Sequence, residues 1–513
     1  MDMLEKSIYA LKKLHNSLCI VERLPEELLA TIFKWRLAME RDSRDCEWLR
    51  VSQVCTKWRS VALDCPALWC FYRTTNLTWL EVLLRRSRTL PLYVGQNLHE
   101  ENSGWFPQAS LYIKRTRDLT FVVHCNTQWR RIFEALVKLQ PEVPPLLDSL
   151  NVRWTGYDHV PTLPDNLFTS PPPRLRTLTL FGCMIDNNAS LLLNLTSLAL
   201  EQVYYHGETL PLSLAQLIGI LRQAPKLEKL KLYRACKVED GVEDIESHSA
   251  IETVHLSCLR HIDLDGPRCN AILSQITHPT PLPHIVLQLS SLPSRELVRY
   301  MPKLCSTLVN RIRPIHHLQV RVADRIELQY KCWGQENLSV DPAPLMTPDL
   351  ELTLRAHELN QVDHSFTQSL QTISLASLQV LDIAVSSTPT TVGIWLAFED
   401  LENLTTVRVK DLAVPTFLQA LKKTYSVKAD ASSKSRYHTR PSFKSLRILI
   451  LQKWFFNSSS MDEFLTCLAA RRRCGAVLQQ LEITDSTFSG SDDTDIVEQL
   501  REIVKDVIWD VKI

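Results

Sequence analysis

Apolar residues recur at helical spacing near the amino end of the chain. They fall at i, i+4, i+7 and i+14, and they are Leu4, Ile8, Leu11 and Leu18. This spacing places them on one face of a helix, with charged residues between them. We therefore predict a separate amino-terminal helix over residues 1–20, and the charges along it exclude the apolar run of a signal peptide.

A second helical segment begins at Pro25, whose ring presets the backbone of the first helical position. Two acids follow it, where the positive end of the helix dipole favours negative charge. An apolar stripe continues to Phe33, and a third helical stretch runs from Trp48 to Leu63 before a proline stops it. The pattern predicts a compact helical module over residues 21–74.

One leucine-rich phrase recurs beyond residue 75. Residues 175–183 read L-x-x-L-x-L-x-x-C, and other copies begin at residues 147, 195, 227, 259, 378, 404, 446 and 478. The alternation in the second half of the phrase predicts a short strand with one apolar face. Helical stripes lie between several copies. Residues 75–513 are therefore predicted to form an irregular leucine-rich-repeat solenoid of α/β class, with parallel strands inside and helices outside.

The copies are unevenly spaced, and three segments depart from the repeat. The stretch from Leu282 to Pro348 is rich in proline and weakly phased, so we expect a distorted segment there. Residues 422–440 are rich in serine and lysine and poor in large apolar groups, which predicts a mobile loop. At the carboxyl end, a helical stripe followed by an alternating strand predicts a cap for the solenoid.

The helical module resembles an F-box, most closely those of large protein families in mushroom-forming fungi. The resemblance runs over about Leu24 to Trp69 and is carried by LPEELLATIF at 24–33 and VSQVCTKWRSVALDCPALW at 51–69. These segments combine a Leu-Pro start, a leucine-rich helix and a VCxxWR signature. The resemblance implies a three-helix F-box that docks on a Skp-type adaptor, which links it to a cullin–RING ubiquitin ligase.

A candidate adaptor-binding set follows from the resemblance and from the chemistry of interfaces. Apolar anchors in a helical groove are the usual way to build an interface hot spot. The set is Leu24, Pro25, Leu28, Leu29, Ile32, Phe33, Val51, Val54, Cys55 and Trp58. The alternative is that these residues form the core of the module itself, and Trp58 and Ala62 fit that alternative better.

The residues between the leucines of the phrase form a second candidate surface, because they point away from the core. Mixed charge with an aromatic residue can select a protein partner there. The candidate substrate-binding residues are Lys229, Lys231 and Tyr233, their expected neighbours His261, Asp263 and Asp265 in the next repeat, and Arg408 and Lys410 further along. The alternative is a merely soluble face with weak cross-strand ion pairs.

Composition narrows the function classes. Lys and Arg total 58 against 57 Asp and Glu, so the chain lacks the basic excess of a nucleic-acid binder. With 12 glycines and no glycine-rich phosphate loop, nucleophile elbow or CxxC pair, we predict no catalytic residue, no metal and no cofactor. No apolar run reaches the roughly 18 residues of a membrane helix, so no membrane partner is expected. The 14 cysteines are interpreted as reduced thiols of an intracellular protein, cytoplasmic or nuclear.

These patterns favour a non-catalytic subunit of a Skp–cullin–F-box ubiquitin ligase. The F-box would bind the Skp-type adaptor, and the repeats would bind an unknown protein substrate. Two other hypotheses remain open at this point. The chain could be a scaffold that acts outside any ligase, or an F-box receptor that senses a small molecule.

Overall fold

The structure is a computed structural model of the 513-residue chain. It describes residues 2–39, 47–72, 77–97, 112–138, 144–156, 160–164, 167–168, 170–185, 190–201, 212–236, 253–266, 269–279, 281–282, 284–289, 294–309, 311–324, 327–335, 346–355, 375–386, 393–428, 437–490 and 494–512. The chain divides into two compact units, Met1–Leu210 and Pro211–Ile513.

The first unit begins with helices, as the apolar spacing predicts. Its α-helices are α1 Asp2–Leu18, α2 Glu26–Met39, α3 Thr56–Leu63, α4 Leu77–Arg86 and α5 Asn126–Lys138. Short 3₁₀ helices lie at Ile20–Arg23, Glu47–Gln53, Pro66–Cys70, Ile113–Arg115 and Ser190–Leu192. The helical stretch predicted from Trp48 to Leu63 is therefore interrupted. Cys55 is extended there and its Sγ accepts the amide N–H of Trp58, so it caps α3.

Parallel strands follow the helices of the first unit. They are β1 Phe71–Tyr72, β2 Leu92–Asn97, β3 Thr116–Val123, β4 Ser149–Trp154, β6 Thr177–Phe181 and β8 Ser197–Glu201, paired in that order. Strands β5 Thr162–Leu163 and β7 Met184–Ile185 form a separate pair. Leu150, Leu178 and Leu198 align across three strands and are buried, so the leucines of the phrase stack on one face.

The second unit alternates strands with helices. Its helices are α6 Leu214–Arg222, α7 Cys269–Gln275, α8 Ser294–Val309, α9 Gly393–Leu396, α10 Ala413–Leu421, α11 Ser458–Arg473 and α12 Thr494–Ile503. Its sheet strands are β9 Lys229–Tyr233, β11 His261–Asp265, β13 His284–Leu289, β14 His317–Asp324, β15 Glu327–Trp333, β16 Leu350–Arg355, β17 Val380–Val385, β18 Thr406–Asp411, β21 Ile448–Gln452, β22 Phe455–Asn457, β23 Gln480–Ser489 and β24 Asp506–Lys512. Strands β10 Val254–His255 and β12 Ile276–Thr277 pair separately.

The sheet of the second unit leaves its regular order where a distorted segment was expected. Its strands lie side by side as β9, β11, β13, β16, β15, β14, β17, β18, β21, β23 and β24, with β22 beside the later part of β23. After β13 the chain skips two positions to form β14, then returns through β15 and β16 to fill the gap. Strand β15 is therefore antiparallel to both neighbours, whereas the other neighbouring strands in this order are parallel. The predicted α/β class, helices followed by a mostly parallel sheet, is confirmed, with this one exception to parallel order.

The segment predicted as a mobile loop contains an antiparallel hairpin instead. Its strands are β19 Thr424–Lys428 and β20 Tyr437–Pro441. Tyr425 lies opposite Arg440 and Val427 opposite His438. Aromatic and β-branched residues suit such a pleated pair even among many serines and lysines, and the compositional argument overlooked them. Residues 429–436 of the predicted loop lie outside the described residues.

One backbone feature repeats near the end of the nine-residue phrase. The residue one position before the last in the nine-residue phrase has a left-handed backbone in six copies: Gly182, Arg234, Gly266, Asp411, Lys453 and Asp485, with φ between 50° and 120°. At Gly182 a Cβ atom would also lie 2.5 Å from the carbonyl oxygen of Trp154. Because non-glycine residues adopt this conformation too, the turn out of the strand imposes it.

We expect Lys453→Gly to raise the free energy of unfolding by roughly 0.5–1 kcal/mol. The change relieves the strain of a left-handed backbone at a residue with a Cβ atom, and the entropic cost of ordering a glycine offsets part of that gain. Lys453 is exposed and has φ 53°, so the change removes little packing. The measurement is the midpoint of urea unfolding. Gln479→Gly is the control, because Gln479 is exposed and does not have a positive φ. This control should lower the urea midpoint. A lower midpoint for Lys453→Gly as well would contradict the strain argument.

Candidate functional site

A lysine on α3 holds the start of α2 in place. The Nζ atom of Lys57 donates hydrogen bonds to the carbonyl oxygens of Glu22 and Leu24, the latter at 2.9 Å. These carbonyls lie at the end of the 3₁₀ helix Ile20–Arg23, and the chain enters α2 through Pro25 immediately afterwards. The Leu-Pro start is therefore fixed relative to α3 by a charged donor at a helix end.

Aromatic packing forms the core behind α2. The rings of Phe33 and Trp58 lie 5.0 Å apart, and Trp48 meets Trp69 edge-on at 5.3 Å between centroids. The indole Nε1 of Trp69 donates to the carbonyl of Ala62 at 2.8 Å, so its one polar atom is satisfied within the core. This packing explains why a small helical module retains so many large aromatic residues.

Helix α2 carries two apolar stripes on different faces. The inner stripe is Leu29, Phe33 and Leu37, all buried. The outer stripe, named here for its four side chains, is Leu28, Ile32, Trp35 and Met39, which are 51%, 46%, 66% and 78% exposed. Its members are spaced at i, i+4, i+7 and i+11, so they form one row along the helix.

This division revises the candidate adaptor-binding set. Leu29 and Phe33 belong to the core of the module, because their positions on α2 face the aromatic cluster. Leu28, Ile32, Pro25 and Val54 are exposed, whereas Leu24, Val51, Cys55 and Trp58 are half-buried. Trp35 and Met39, which the candidate set does not contain, lie in the same exposed row as Leu28 and Ile32, and their spacing along the helix could have indicated this.

Exposed apolar surface is concentrated in the first 54 residues. Besides the outer stripe and Val54, this part of the chain exposes Leu4, Ile8, Leu11, Leu14, Leu18, Ile20 and Val21. The apolar face predicted for the first helix is thus present on α1 and lies open to solvent. The other large apolar side chains that the described residues expose are scattered singly along the chain. Large apolar side chains exposed in such a concentration are typical of an interaction site.

In the second unit, the side of the sheet bearing Lys231, Asp263, Glu351, Asp382 and Arg408 is named the polar face. The neighbours expected from the phrase are in register: Lys229 with His261, Lys231 with Asp263, and Tyr233 with Asp265. The rings of His261 and His284 stack at 4.8 Å. Burial, together with the charges of His284 and Lys229, lowers the pKa of His261 to about 4, so this imidazole is neutral at pH 7.

Two of the candidate substrate-binding residues are buried. Arg408 is buried, with Nη1 3.5 Å from the Oδ2 atom of Asp382. Asp265 is buried as well, 3.8 Å from Nε of Arg234. Both were expected to face a partner, and both instead face an opposite charge on the same unit. Lys229 and Lys231 are exposed, whereas Tyr233, His261, Asp263 and Lys410 are half-buried.

Acidic and basic side chains are interspersed along the polar face. One line across the strands runs through Lys231, Asp263, Val286, Glu351, Lys331, Gln319, Asp382 and Arg408. Lys331 Nζ lies 3.2 Å from a carboxylate oxygen of Glu351, and Gln319 Nε2 donates to Asp382 at 2.9 Å. The middle of the face is therefore neutralised from within, and its exposed cations lie at the β9 end.

Comparison with known proteins adds a domain assignment. Residues 21–73 match the F-box-like family, so the aromatic cluster and the outer stripe lie within an F-box-like domain. No curated protein matches the chain. An internalin from Listeria monocytogenes is a similar solved structure, 13% identical, with a TM-score of 0.23, covering 77% of this chain and 81% of its own.

Within the ranges given above, no three His, Cys, Asp or Glu side chains are grouped closely enough to hold a metal ion. Among the helices of those ranges, none combines the length and the apolar character needed to cross a bilayer.

We expect Lys57→Met to loosen the junction between α2 and α3, because two carbonyls lose a charged donor. Since the site is only partly buried, the loss should be about 1–2 kcal/mol. Amide hydrogen exchange over residues 20–25 and 56–63, read by mass spectrometry, should become faster. Lys34→Met on the exposed side of α2 is the control and should leave exchange unchanged; equal protection in both variants would rule out the anchoring role.

We expect Asp382→Asn to lower the free energy of unfolding by about 3 kcal/mol, because the buried Arg408 guanidinium loses its carboxylate. The double variant Asp382→Asn with Arg408→Met should cost less than the two single changes added together. Urea unfolding of all three variants measures this coupling. Glu402→Gln, which breaks the exposed pair with Lys444, is the control and should cost at most about 1 kcal/mol. If the losses in the free energy of unfolding of the two single variants add up to that of the double variant, Asp382 and Arg408 are not coupled.

Proposed function

We propose that this chain is a non-catalytic substrate-recognition subunit of a Skp–cullin–F-box ubiquitin ligase. The F-box-like domain at residues 21–73 would bind a Skp-type adaptor, and the repeats would bind a protein substrate. The observation that carries the proposal is the outer stripe of α2. It is a row of four large apolar side chains that the module leaves in water.

The outer stripe has the composition of a binding hot spot. Burying a Leu, Ile, Met or Trp side chain against a partner stabilises the complex by about 1.5–3 kcal/mol each, before association entropy is subtracted. Trp35 is the member best suited to anchor an interface, because Trp is enriched at hot spots. The inner stripe and the Lys57 hydrogen bonds support this row by fixing α2 on a rigid core.

The F-box-like match supports the choice of partner. By resemblance, F-boxes dock on Skp-type adaptors that connect them to a cullin and a RING protein. The resemblance to fungal F-box families is a prediction from the sequence, and the choice of a Skp-type adaptor as partner does not depend on it. A subunit of this kind acts inside the cell, and its contribution to ubiquitin transfer is proximity: it raises the effective concentration of a substrate lysine near the charged enzyme.

We place substrate contact on the polar face of the second unit, at its β9 end. Lys229 and Lys231 are exposed there, beside the half-buried His261 and Tyr233. Arg408 and Asp265 are assigned a supporting role, because each is buried next to an opposite charge. An acidic or hydroxyl-rich segment would complement the two lysines, since steering by exposed charge favours the opposite sign.

The adaptor interface is tested by co-expressing the full chain with a Skp-type adaptor and measuring affinity by calorimetry. Leu28→Ala with Ile32→Ala should weaken binding by at least about 2 kcal/mol, roughly thirtyfold, because both side chains belong to the outer stripe. Both residues are exposed, so folding should be preserved, and circular dichroism checks this.

A matched control comes from α1. Leu4→Ala with Leu11→Ala truncates two apolar residues that are even more exposed and lie outside residues 21–73, so it should leave the affinity unchanged. Unchanged affinity in the folded Leu28/Ile32 variant would contradict the proposal. Co-purification of adaptor together with cullin supports the ligase role, whereas adaptor without cullin would favour the scaffold alternative.

A further inference from the structure

Strand β24 ends the side-by-side order of strands in the second unit and leaves one edge of the sheet open. Among the described residues it pairs with β23 on one side and with no strand on the other. Asp506 donates its amide N–H to the carbonyl oxygen of Gln479 at 3.1 Å, so its backbone faces β23. Because the backbone groups of successive strand residues face opposite sides, Val507 and Val511 direct theirs toward the open edge. Such an edge is a template for pairing with another strand.

The core of the second unit is also incompletely covered at this edge. The core-facing side chains of β24 are Val507, Trp509 and Val511, and all three are only half-buried. Their neighbours on β23, Leu481 and Ile483, are fully buried. A solenoid normally ends in a cap whose outer side is polar. In the described part of the chain, the cap predicted from the sequence therefore leaves apolar side chains in contact with water.

Opposite charges stand at the two ends of β24, on its outward face. Asp506 and Lys512 are both exposed, and they lie six residues apart on the same side of the strand. At about 3.3 Å per residue they are roughly 20 Å apart, too far to pair with each other within one chain. A second β24 running antiparallel, with Trp509 opposite its own copy, would place Asp506 of each chain opposite Lys512 of the other. A two-fold axis thus creates two cross-strand ion pairs.

The other registers of this antiparallel pair are unfavourable. Centring the pair on Ile508 would place Asp506 opposite Asp510, and centring it on Asp510 would place that residue opposite its own copy. Like charges directly opposite each other destabilise an antiparallel pair. A slip of one residue would set core-facing side chains opposite outward-facing ones. In the register centred on Trp509, Asp510 lies opposite Ile508 on the exposed face, where its carboxylate remains in water.

The same register closes the open core. Val507 of one copy would lie opposite Val511 of the other, and the two would exchange N–H···O=C bonds at the open edges. The two-fold axis runs perpendicular to the sheet, so the core-facing sides of both strands stay on one side and the two cores become continuous. A foreign strand could bond to the same edge, but it would need an acid and a base with the spacing of Asp506 and Lys512. A second copy of the chain supplies both.

We propose that β24 pairs antiparallel with β24 of a second copy, so that the chain forms a homodimer through its sheet edge. The proposal does not rest on adaptor binding, because β24 lies outside residues 21–73. A single strand pair is small beside a standard interface of about 1,600 Å², so we expect dissociation in the micromolar range. The dimer would carry two copies of each binding surface, which raises the avidity for a bivalent partner.

Sedimentation velocity of the full chain, from about 1 to about 200 µM, measures the dimer. Asp506→Lys and Lys512→Asp should each weaken it at least about tenfold, because each change opposes like charges. An equimolar mixture of these two variants should regain the original affinity, since every lysine then lies opposite an aspartate. Lys303→Asp, at an exposed position on α8, is the matched control and should change nothing. A monomeric unaltered chain, full affinity in either folded single variant, or a mixture no tighter than its components would overturn the proposal.

A backbone variant tests the strand pairing itself. Val511→Pro removes an N–H that faces the open edge, a position at which an edge strand tolerates proline. The variant should fold, as judged by circular dichroism, and should weaken the dimer at least about tenfold. Val511→Thr keeps the N–H and the shape of the side chain, and should retain affinity within about threefold. A dimer that persists in folded Val511→Pro would show that β24 does not pair through its edge.

Hydrogen exchange of the unaltered chain locates the interface without any substitution. Raising the protein concentration through the dissociation constant should slow amide exchange over residues 506–512, as read by mass spectrometry. Slower exchange over residues 2–39 instead would place the dimer on the exposed apolar side chains of α1 and α2, and would refute the proposal. A chain that stays monomeric and shows protection of β24 only with an added peptide would assign the edge to a different occupant, which also refutes it.

Discussion

Stacking of leucine-rich strands on their neighbours is the interaction on which both units depend. A single repeat cannot bury its own leucines, because its strand offers one apolar face and no second layer of its own. Alignment across strands solves this: Leu178 lies between Leu150 and Leu198, and Leu230 lies beside Ile262, all buried. The same alignment brings the residues between the leucines into register on the opposite face. In six copies of the phrase, a left-handed residue then changes the direction of the chain shortly after the aligned leucines.

This register determines which charged side chains are neighbours on the polar face. Side chains at equivalent positions of neighbouring strands lie close together, so like charges would repel and opposite charges attract. The line from Lys231 to Arg408 mixes both signs, and Gln319, Asp382 and Arg408 at one end of it are buried. Arg408 and Asp382 consequently contribute to stability and positioning more than to contact with a partner. What remains for recognition is the end of the face where β9 exposes two lysines.

The F-box-like domain buries its apolar side chains in a different way from the repeats. Helix α2 is apolar on two sides, and the aromatic cluster covers only the inner stripe. Helix α1, which precedes the domain, also exposes apolar side chains. Most of the large apolar side chains that the described residues expose therefore lie within the first 54 residues, the region to which we assign adaptor binding.

The sequence by itself determined the repeat phrase, the helices before it, the resemblance to an F-box and the pairing of Lys231 with Asp263, because each depends on spacing along the chain. Tertiary structure alone decided which of the two apolar stripes of α2 is covered, since periodicity cannot say what packs against a face. It also decided the detour through β14, β15 and β16 and the burial of Arg408. These depend on contacts between residues far apart in the chain, and no local pattern records such contacts.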